Sequence, residues 1–149
     1  MNLKQEIYNQ YQNLITDNIQ MLKHSLIELQ ESINLETKSS AGDKFETART
    51  MLHIEQENMN KRLMELREQL ANFERIKTDP ITDLIRNGSL VETNMGIFYL
   101  SAALGKILLD GKTIFALSPQ SPLGLRLMGL SINDQTEING IKYIIENIS

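Results

Sequence analysis

The sequence of 149 residues contains no cysteine, no tryptophan and only three prolines. Without cysteine the chain can form no disulfide framework, no thiolate nucleophile and no cysteine-ligated zinc or iron–sulfur centre. An excess of basic charge is missing too, because 15 Lys and Arg stand against 19 Asp and Glu, for a net charge of −4. Each half of the chain is slightly acidic, so the composition is not typical of a protein that binds nucleic acid mainly through phosphates.

Long apolar runs are missing as well. The most membrane-like stretch, residues 95–109, is shorter than the roughly 20 residues of a spanning helix and is interrupted by glycine, serine and lysine. Residues 1–10 lack the apolar core of a signal peptide. No glycine-rich nucleotide-binding motif occurs. We therefore expect a cytoplasmic protein with no membrane partner and no small-molecule substrate.

Residues 1–78 have the apolar period of two long helices. Apolar side chains recur in alternating steps of four and three residues, which is typical of a coiled-coil seam. Ile7, Tyr11 and Leu14 extend the first series toward the amino terminus, and Gln56 occupies the one polar position of the second. The two series are Ile15, Ile19, Leu22, Leu26, Leu29 and Ile33, then Leu52, Met59, Leu63, Leu66, Leu70 and Phe73.

The connection between these helices is short, at residues 36–43. Because a short connection forces neighbouring helices to run antiparallel, we predict a coiled-coil hairpin that turns near Gly42. Two helices of about 34 residues would each be about 50 Å long. An ordinary helical bundle and a parallel dimer are the alternatives.

A change of pattern follows. Asp79-Pro80 ends the second helix, because a residue before proline avoids helical backbone, and Asn87-Gly88 is a turn signal. We therefore predict a linker at residues 79–88 and a small β-rich domain at residues 89–149. The β-prone runs are residues 90–93, 96–100, 106–109, 113–117, 136–138 and 141–146.

Turn and capping signals divide the second domain. Asp110-Gly111 and Asn139-Gly140 are each typical of a two-residue β-hairpin turn. Ser121 suits an N-cap, and the following proline suits the first helical position, which predicts one short helix at about residues 121–128. The expected fold class is α+β, with a helical hairpin followed by about five strands and this one helix.

Two carboxylates are the candidates for chemistry. Asp43 and Glu46 fall in the predicted turn of the hairpin, within residues 41–46, which we call the tip. Carboxylates suit magnesium, which takes one or two of them and keeps several waters. Such an ion could stabilise a leaving oxygen or activate a water for phosphodiester hydrolysis. The alternative is a capping box, in which Asp43 caps the second helix and Glu46 reaches back to it.

The tip and one later segment resemble a known family, the bacterial Gre transcript-cleavage factors. Residues 42–48, Gly-Asp-Lys-Phe-Glu-Thr-Ala, are similar to that family's Gly-Asp-x-x-Glu-Asn-Ala. Residues 118–124, Ser-Pro-Gln-Ser-Pro-Leu-Gly, resemble the Ser-Pro segment and leucine-rich helix of its carboxyl-terminal domain. The order of a helical hairpin before a small β-rich domain is also similar, so the resemblance covers nearly the whole chain.

The resemblance implies both a fold and a mechanism. It implies an FKBP-like fold for residues 89–149, used for docking on RNA polymerase. It implies that the hairpin enters the polymerase's secondary channel, where Asp43 and Glu46 help hold a magnesium ion shared with the active centre. The polymerase then cleaves the 3′ end of backtracked RNA faster. In this interpretation the chain is an activator and not itself an enzyme.

Departures from the family pattern keep other functions open. The family usually continues Asn-Ala-Glu-Tyr after the tip glutamate, whereas this chain reads Thr47-Ala48-Arg49-Thr50. Arg49 reverses a charge close to the expected metal. The alternatives are a secondary-channel regulator without cleavage activity, and a coiled-coil module that binds another protein. A prolyl isomerase is disfavoured because no tryptophan is present to form the floor of its pocket.

Overall fold

A computed structural model describes residues 2–38, 42–76 and 83–149, with the backbone alone given for residues 37, 38 and 42–45. Two long helices come first and a mixed six-stranded sheet follows, which confirms the α+β class. The helices are α1 (Leu3–Lys38), α2 (Gly42–Glu74) and α3 (Pro122–Leu127). The strands are β1 (Leu90–Thr93), β2 (Gly96–Leu100), β3 (Gly105–Leu109), β4 (Lys112–Leu117), β5 (Gln135–Ile138) and β6 (Ile141–Ile148).

The chain divides into two compact units. The hairpin unit is Gln12–Ala71, and the sheet unit is Met1–Tyr11 together with Asn72–Ser149. Helix α1 therefore contributes its first residues to the sheet unit and the rest of its length to the hairpin unit. The end of α2 likewise belongs with the sheet.

The hairpin unit buries the predicted seam. Ile15, Ile19, Leu29 and Ile33 of α1 are buried, as are Leu63 and Leu66 of α2. The polar seam position is satisfied, because the Gln56 Nε2 donates to Gln30 Oε1 at 2.7 Å. Gln30, late in α1, thus meets the first half of α2, whereas Tyr8, early in α1, stacks on Phe73 at the end of α2. The two helices therefore run antiparallel. The turn near Gly42 is only partly tested, since residues 39–41 lie outside the described residues.

The sheet has the strand order β3-β4-β2-β1-β6-β5. All neighbouring strands are antiparallel except β2 and β4, which pair in parallel with Ile97 opposite Ile114. The sheet therefore has six strands, where the sequence led us to expect about five. Each of the six β-prone runs named above forms one strand of this sheet.

Both predicted β-hairpin turns are confirmed. Asp110 and Gly111 have φ values of 50° and 75°, and Asn139 and Gly140 have 53° and 79°. Two consecutive residues with positive φ match the right-handed twist of the flanking strands, which is why the Asp-Gly and Asn-Gly pairs serve there. The strands that they join, β3–β4 and β5–β6, are paired in register through to each turn.

The sheet unit packs on both faces of its sheet. On one face Val91 and Phe98 lie opposite each other and belong to a core that includes Leu127 of α3. Successive residues of a strand point to opposite faces, so Tyr99 points to the other one. There it contacts Tyr11 from the start of α1 and Phe73 from the end of α2.

The segment predicted as a linker, residues 79–88, is partly outside the described residues, which omit 77–82. Helix α2 ends at Glu74, earlier than Asp79-Pro80. Ile85 is buried in the sheet unit's core, where its N–H donates to the Leu130 carbonyl at 2.8 Å. Its own carbonyl accepts from the Gly129 N–H at 2.8 Å. Among the described residues, no helix combines the length and apolarity needed to cross a bilayer.

Candidate functional site

The predicted carboxylate pair lies at the start of α2. This helix begins at Gly42, so residues 43 and 46 both fall within its first turns and are separated by three residues. Positions three apart on a helix are neighbours on one face. The side chain of Asp43 lies outside the described residues, whereas that of Glu46 is described and is exposed. The alternative capping interaction between the two side chains is therefore outside what the structure describes.

A side-chain hydrogen bond from the next helical turn stabilises the backbone at Glu46. The hydroxyl of Thr50 donates to the Glu46 carbonyl oxygen at 2.9 Å. Arg49 is exposed and lies three residues after Glu46, on the same face of α2. The described part of the tip thus presents one carboxylate to solvent with a guanidinium on the neighbouring turn.

In the described part of the chain, metal-ligating side chains do not gather into a cluster. Across residues 2–38, 42–76 and 83–149, no group of three or more His, Asp and Glu side chains is arranged to hold an ion. His24 and His53 are both exposed and lie on different helices. His24 Nε2 lies 3.1 Å from the Glu28 carboxylate one turn away. Carboxylates at positions 43 and 46 match the number that magnesium takes from a protein when waters and substrate complete its shell.

The second segment of interest, residues 118–124, folds into a hydrogen-bonded turn that starts α3. The Ser121 hydroxyl donates to the Ser118 carbonyl at 2.7 Å and accepts from the Gly124 N–H at 3.0 Å. This confirms Ser121 as the N-cap and Pro122 as the first helical residue. The start of α3 could be predicted from the sequence alone, because the capping residue and the proline are adjacent in the chain.

Gly124 is required by a close approach of the backbone. A methyl group at this position would overlap the carbonyl oxygen of Ser118 and crowd the Ser121 hydroxyl at 2.8 Å. The same two groups form the cap, so any side chain at 124 would displace the hydrogen bonds that begin α3. The glycine therefore fixes the shape of the Ser-Pro segment, and this role is not visible from spacing alone.

An aromatic cluster of Tyr8, Tyr11, Phe73 and Tyr99 forms inside the sheet unit. Tyr8 stacks on Phe73 with ring centroids 4.8 Å apart, and Phe73 meets Tyr99 edge to face at 6.3 Å. The hydroxyl of Tyr11 donates toward the carbonyl oxygens of Gly105 at 2.8 Å and Ile114 at 3.1 Å. The cluster thus attaches both helix ends to β2, β3 and β4.

Sequence reasoning assigned Tyr11 and Phe73 to the helical seam and missed this attachment. A weak signal was present, since a buried tyrosine needs a partner for its hydroxyl, and the predicted seam is apolar apart from Gln56. Burial raises the pKa of Tyr11 to about 12. Burial, and next the proximity of Tyr8, raise the pKa of Tyr99 well above the usual value of a phenol.

Tyr11 and Tyr99 differ in how their hydroxyls are satisfied. Both side chains are fully buried. The Tyr11 hydroxyl has two backbone acceptors, whereas that of Tyr99 has no hydrogen-bond partner among the described residues. A buried hydroxyl without a partner costs about 1–3 kcal/mol. Tyr99 therefore contributes through ring packing alone, and Tyr11 contributes through packing and hydrogen bonds together.

Comparisons with known proteins do not assign the chain to a family. The support for a function therefore comes from this chain's own residue pattern and geometry. No known protein-family model matches the chain, and no curated protein sequence matches it.

Proposed function

We propose that this chain is a Gre-like transcription elongation factor of the cytoplasm. In this proposal the tip of its helical hairpin enters the secondary channel of bacterial RNA polymerase and stimulates cleavage of backtracked RNA by the polymerase itself. The observation that carries the proposal is the exposed Glu46 in the first turns of α2, at the end of a two-helix unit. The Gly-Asp-x-x-Glu pattern that contains it resembles the family's motif.

The dimensions of the hairpin unit support this proposal. Its α1 portion, residues 12–38, is about 40 Å long at 1.5 Å per residue. Glu46 lies at the end of the unit opposite to residues 12 and 71, where the helices leave it. A pair of helices is the thinnest element that can carry side chains over such a distance with its own buried seam. A narrow channel would admit this unit and exclude a sheet.

The chemistry assigned to the chain is limited to its carboxylates. A magnesium ion bound there would stabilise the leaving oxygen or activate a water for hydrolysis of a phosphodiester. Asp43 and Glu46 would supply two of its oxygen ligands, and the polymerase would supply the rest. Glu46 suits this role because its exposed carboxylate is accessible to a partner's active centre. The polymerase remains the catalyst, and the chain adds negative charge where the reaction needs it.

We further propose that residues 89–149 have an FKBP-like fold that docks on the polymerase. The mixed sheet with a single short helix between β4 and β5 supports this assignment. The cap formed by Ser118, Ser121 and Gly124 gives the Ser-Pro segment a fixed conformation. A fixed surface loses little conformational entropy on binding, which favours a role in recognition.

Arg49 favours a second candidate, a channel regulator that does not stimulate cleavage. The guanidinium is exposed one turn from Glu46 on the same helical face. Positive charge so close to the carboxylates opposes the binding of a divalent cation. A chain that occupied the channel without recruiting the ion would compete with a true cleavage factor and would leave backtracked RNA intact.

The test is a cleavage assay on stalled, backtracked elongation complexes formed with the cognate polymerase. Asp43→Asn and Glu46→Gln remove charge but retain the capacity to cap a helix. We expect each variant to lose stimulated cleavage by at least about tenfold while its melting temperature stays within about 2 °C of the wild type.

Glu68→Gln is the matched control, because Glu68 is an exposed carboxylate far along α2 from the tip. It should retain full stimulation. Wild-type protein that binds polymerase without stimulating cleavage would support the regulator instead. Absence of any polymerase binding would remove both candidates.

A further inference from the structure

The hairpin unit has an apolar groove along one flank, and its described lining does not include Glu46. The groove encloses about 440 Å³. We call it the flank groove, and it is lined by Glu36, Ala48, Met51, Leu52, Ile54, Glu55 and Asn58. One of these residues is on α1 and the others are on α2, so the groove lies where the two helices meet.

The floor of the flank groove is made of large apolar side chains that are left in solvent. Met51 is 66% exposed and Ile54 is 53% exposed, although both belong to a well-formed helix. Ala48 is small and leaves room beside them. Isolated surface methionines are common, but apolar side chains that line one concave surface mark a site of interaction. Methionine also adapts its shape to different partners.

The shape favours a helix over a small molecule as the occupant. A small-molecule site covers roughly 70–90% of its ligand, whereas this groove is open along the surface of the two helices and would cover less. The α2 residues recur with helical spacing from Ala48 to Asn58, which covers about 15 Å of helix axis. This length matches about three turns of a second helix. A helix laid there would pack against α1 and α2 together, as in a three-helix arrangement.

The charge of the residues that line the groove favours a basic helix as the occupant. Among the described residues that line the groove, Glu36 on α1 and Glu55 on α2 are charged, and both are acidic. An apolar strip bordered by carboxylates complements a helix whose apolar face is bordered by lysine or arginine. A second copy of this chain fits less well, because a two-fold axis through the groove would set these carboxylates against their own counterparts. An anionic membrane is disfavoured by the same charges.

We infer that the flank groove binds a basic amphipathic helix of a partner protein. This inference goes beyond the proposed function, because it uses neither the tip carboxylates nor the chemistry of RNA cleavage. The apolar side chains of the partner would cover Met51, Leu52 and Ile54, and its basic side chains would pair with Glu36 and Glu55. Burial of the methionine and isoleucine would supply most of the affinity, and the carboxylates would set the orientation.

The experiment measures binding of a synthetic probe to the full chain in the absence of polymerase. The probe is a labelled peptide of leucine and lysine, about four helical turns long, with leucines at positions i, i+3, i+4 and i+7. A leucine–glutamate peptide of the same pattern is the charge control. Binding is read by fluorescence anisotropy, and the site is located by amide chemical shifts of the protein. We expect the lysine peptide to bind and to shift amides between residues 48 and 58.

Variants of residues that are exposed, or half-buried in the case of Glu36, test the assignment without opening the seam. Met51→Ser combined with Ile54→Ser should weaken binding by at least about tenfold. Glu36→Gln combined with Glu55→Gln should weaken it less and should reduce its dependence on salt. Met64→Ser is the matched control, since Met64 is 70% exposed on the same helix and does not line the groove. This control should bind as the wild type does.

Four results would overturn the inference. Equal binding of the glutamate peptide would show non-specific apolar contact. Unchanged affinity in the Met51 and Ile54 double variant, or an equal loss in the Met64 variant, would place the peptide elsewhere. Concentration-dependent dimerisation that the double variant abolishes, without peptide binding, would assign the groove to a second copy of the chain. None of these outcomes depends on whether the chain stimulates RNA cleavage.

Discussion

The hairpin unit and the sheet unit are stabilised in different ways. The hairpin unit depends on one repeated contact, in which apolar side chains of α1 and α2 meet along a seam. The sheet unit depends on contacts that each occur once, such as the cap at Ser121 and the hydrogen bonds of the Tyr11 hydroxyl. When one apolar contact of the seam is removed, the other seam contacts are still present. The cap at Ser121 and the hydrogen bonds of Tyr11 each occur once and have no second copy.

This difference also divides the roles of the two units. Most of the described polar side chains of the hairpin unit are exposed, and so are both candidate surfaces, Glu46 and the flank groove. The described polar groups that organise the sheet unit are instead used internally, in caps, turns and the aromatic cluster. Substitutions in the hairpin surface should therefore change binding, and substitutions in the sheet unit should change stability.

The largest stability effect is expected inside the seam. Leu66→Ala should lower the free energy of unfolding by about 2–4 kcal/mol, because Leu66 is buried and its removal leaves a cavity. Met64→Ala, two residues earlier and exposed, should change it by less than about 0.5 kcal/mol. Urea denaturation followed by circular dichroism measures both. Similar losses in the two variants would contradict the assigned seam.

The next largest loss of stability is expected at the N-terminal cap of α3. Gly124→Ala should destabilise the protein by about 1–3 kcal/mol, because the added methyl group overlaps the Ser118 carbonyl. In an ordinary helix the same substitution would stabilise, since alanine is the better helix former. Leu125→Ala is the control, because Leu125 is exposed in the same helix. Thermal unfolding distinguishes the two, and a gain in stability for the alanine at 124 would disprove the close approach.

The aromatic cluster offers a matched pair of hydroxyl deletions. Tyr11→Phe should cost about 1–2 kcal/mol, since it leaves the Gly105 and Ile114 carbonyls without this donor. Tyr99→Phe should be neutral or stabilise by up to about 1 kcal/mol, since its buried hydroxyl has no described partner. Chemical denaturation of both variants gives the comparison. The reverse order would mean that the hydrogen bonds of Tyr11 do not hold the helix ends to the sheet.

The smallest effect is expected at the exposed turn before β5. The Asp134 carboxylate accepts from the N–H of Ser131 at 2.8 Å and from its hydroxyl at 3.0 Å, and these bonds lower the pKa of Asp134. A carboxyl whose pKa is lower in the folded state adds stability above its unfolded pKa of about 3.9. That contribution is lost as the pH falls through the folded value. Asp134→Asn should therefore slightly reduce the loss of stability in acid, which urea midpoints at pH 5 and below would measure.

Much of the local structure could be predicted because its causes are local. The seam residues from Ile15 to Ile33 follow a period that only a helix produces. Asp110-Gly111 and Asn139-Gly140 tolerate positive φ, so the turns were visible in pairs of residues. Ser121 and Pro122, as N-cap and first helical residue, likewise predicted the start of α3. The candidate carboxylates were identified from their position in the predicted hairpin turn, and their chemistry stays a prediction.

The contacts between distant segments could not be predicted. Tyr11 carries the same apolar signal as its seam neighbours, yet its hydroxyl bonds to backbone about one hundred residues later in the chain. Ile85 follows a proline and precedes an Asn-Gly turn, which indicated a linker, but it is buried in the sheet unit's core. The flank groove could not be predicted from the sequence either, because the position of α1 decides whether Met51 and Ile54 are covered.

The sequence by itself determined which described segments are helices, which are strands and where the two β-hairpin turns fall, because period, φ preference and capping act over a few residues. Only the tertiary structure decided the parallel pairing of β2 with β4 and the division of α1 between two units. The same holds for the different surroundings of the Tyr11 and Tyr99 hydroxyls. The physical reason is that burial and hydrogen-bond partners depend on which distant surfaces meet, and no local preference encodes that meeting.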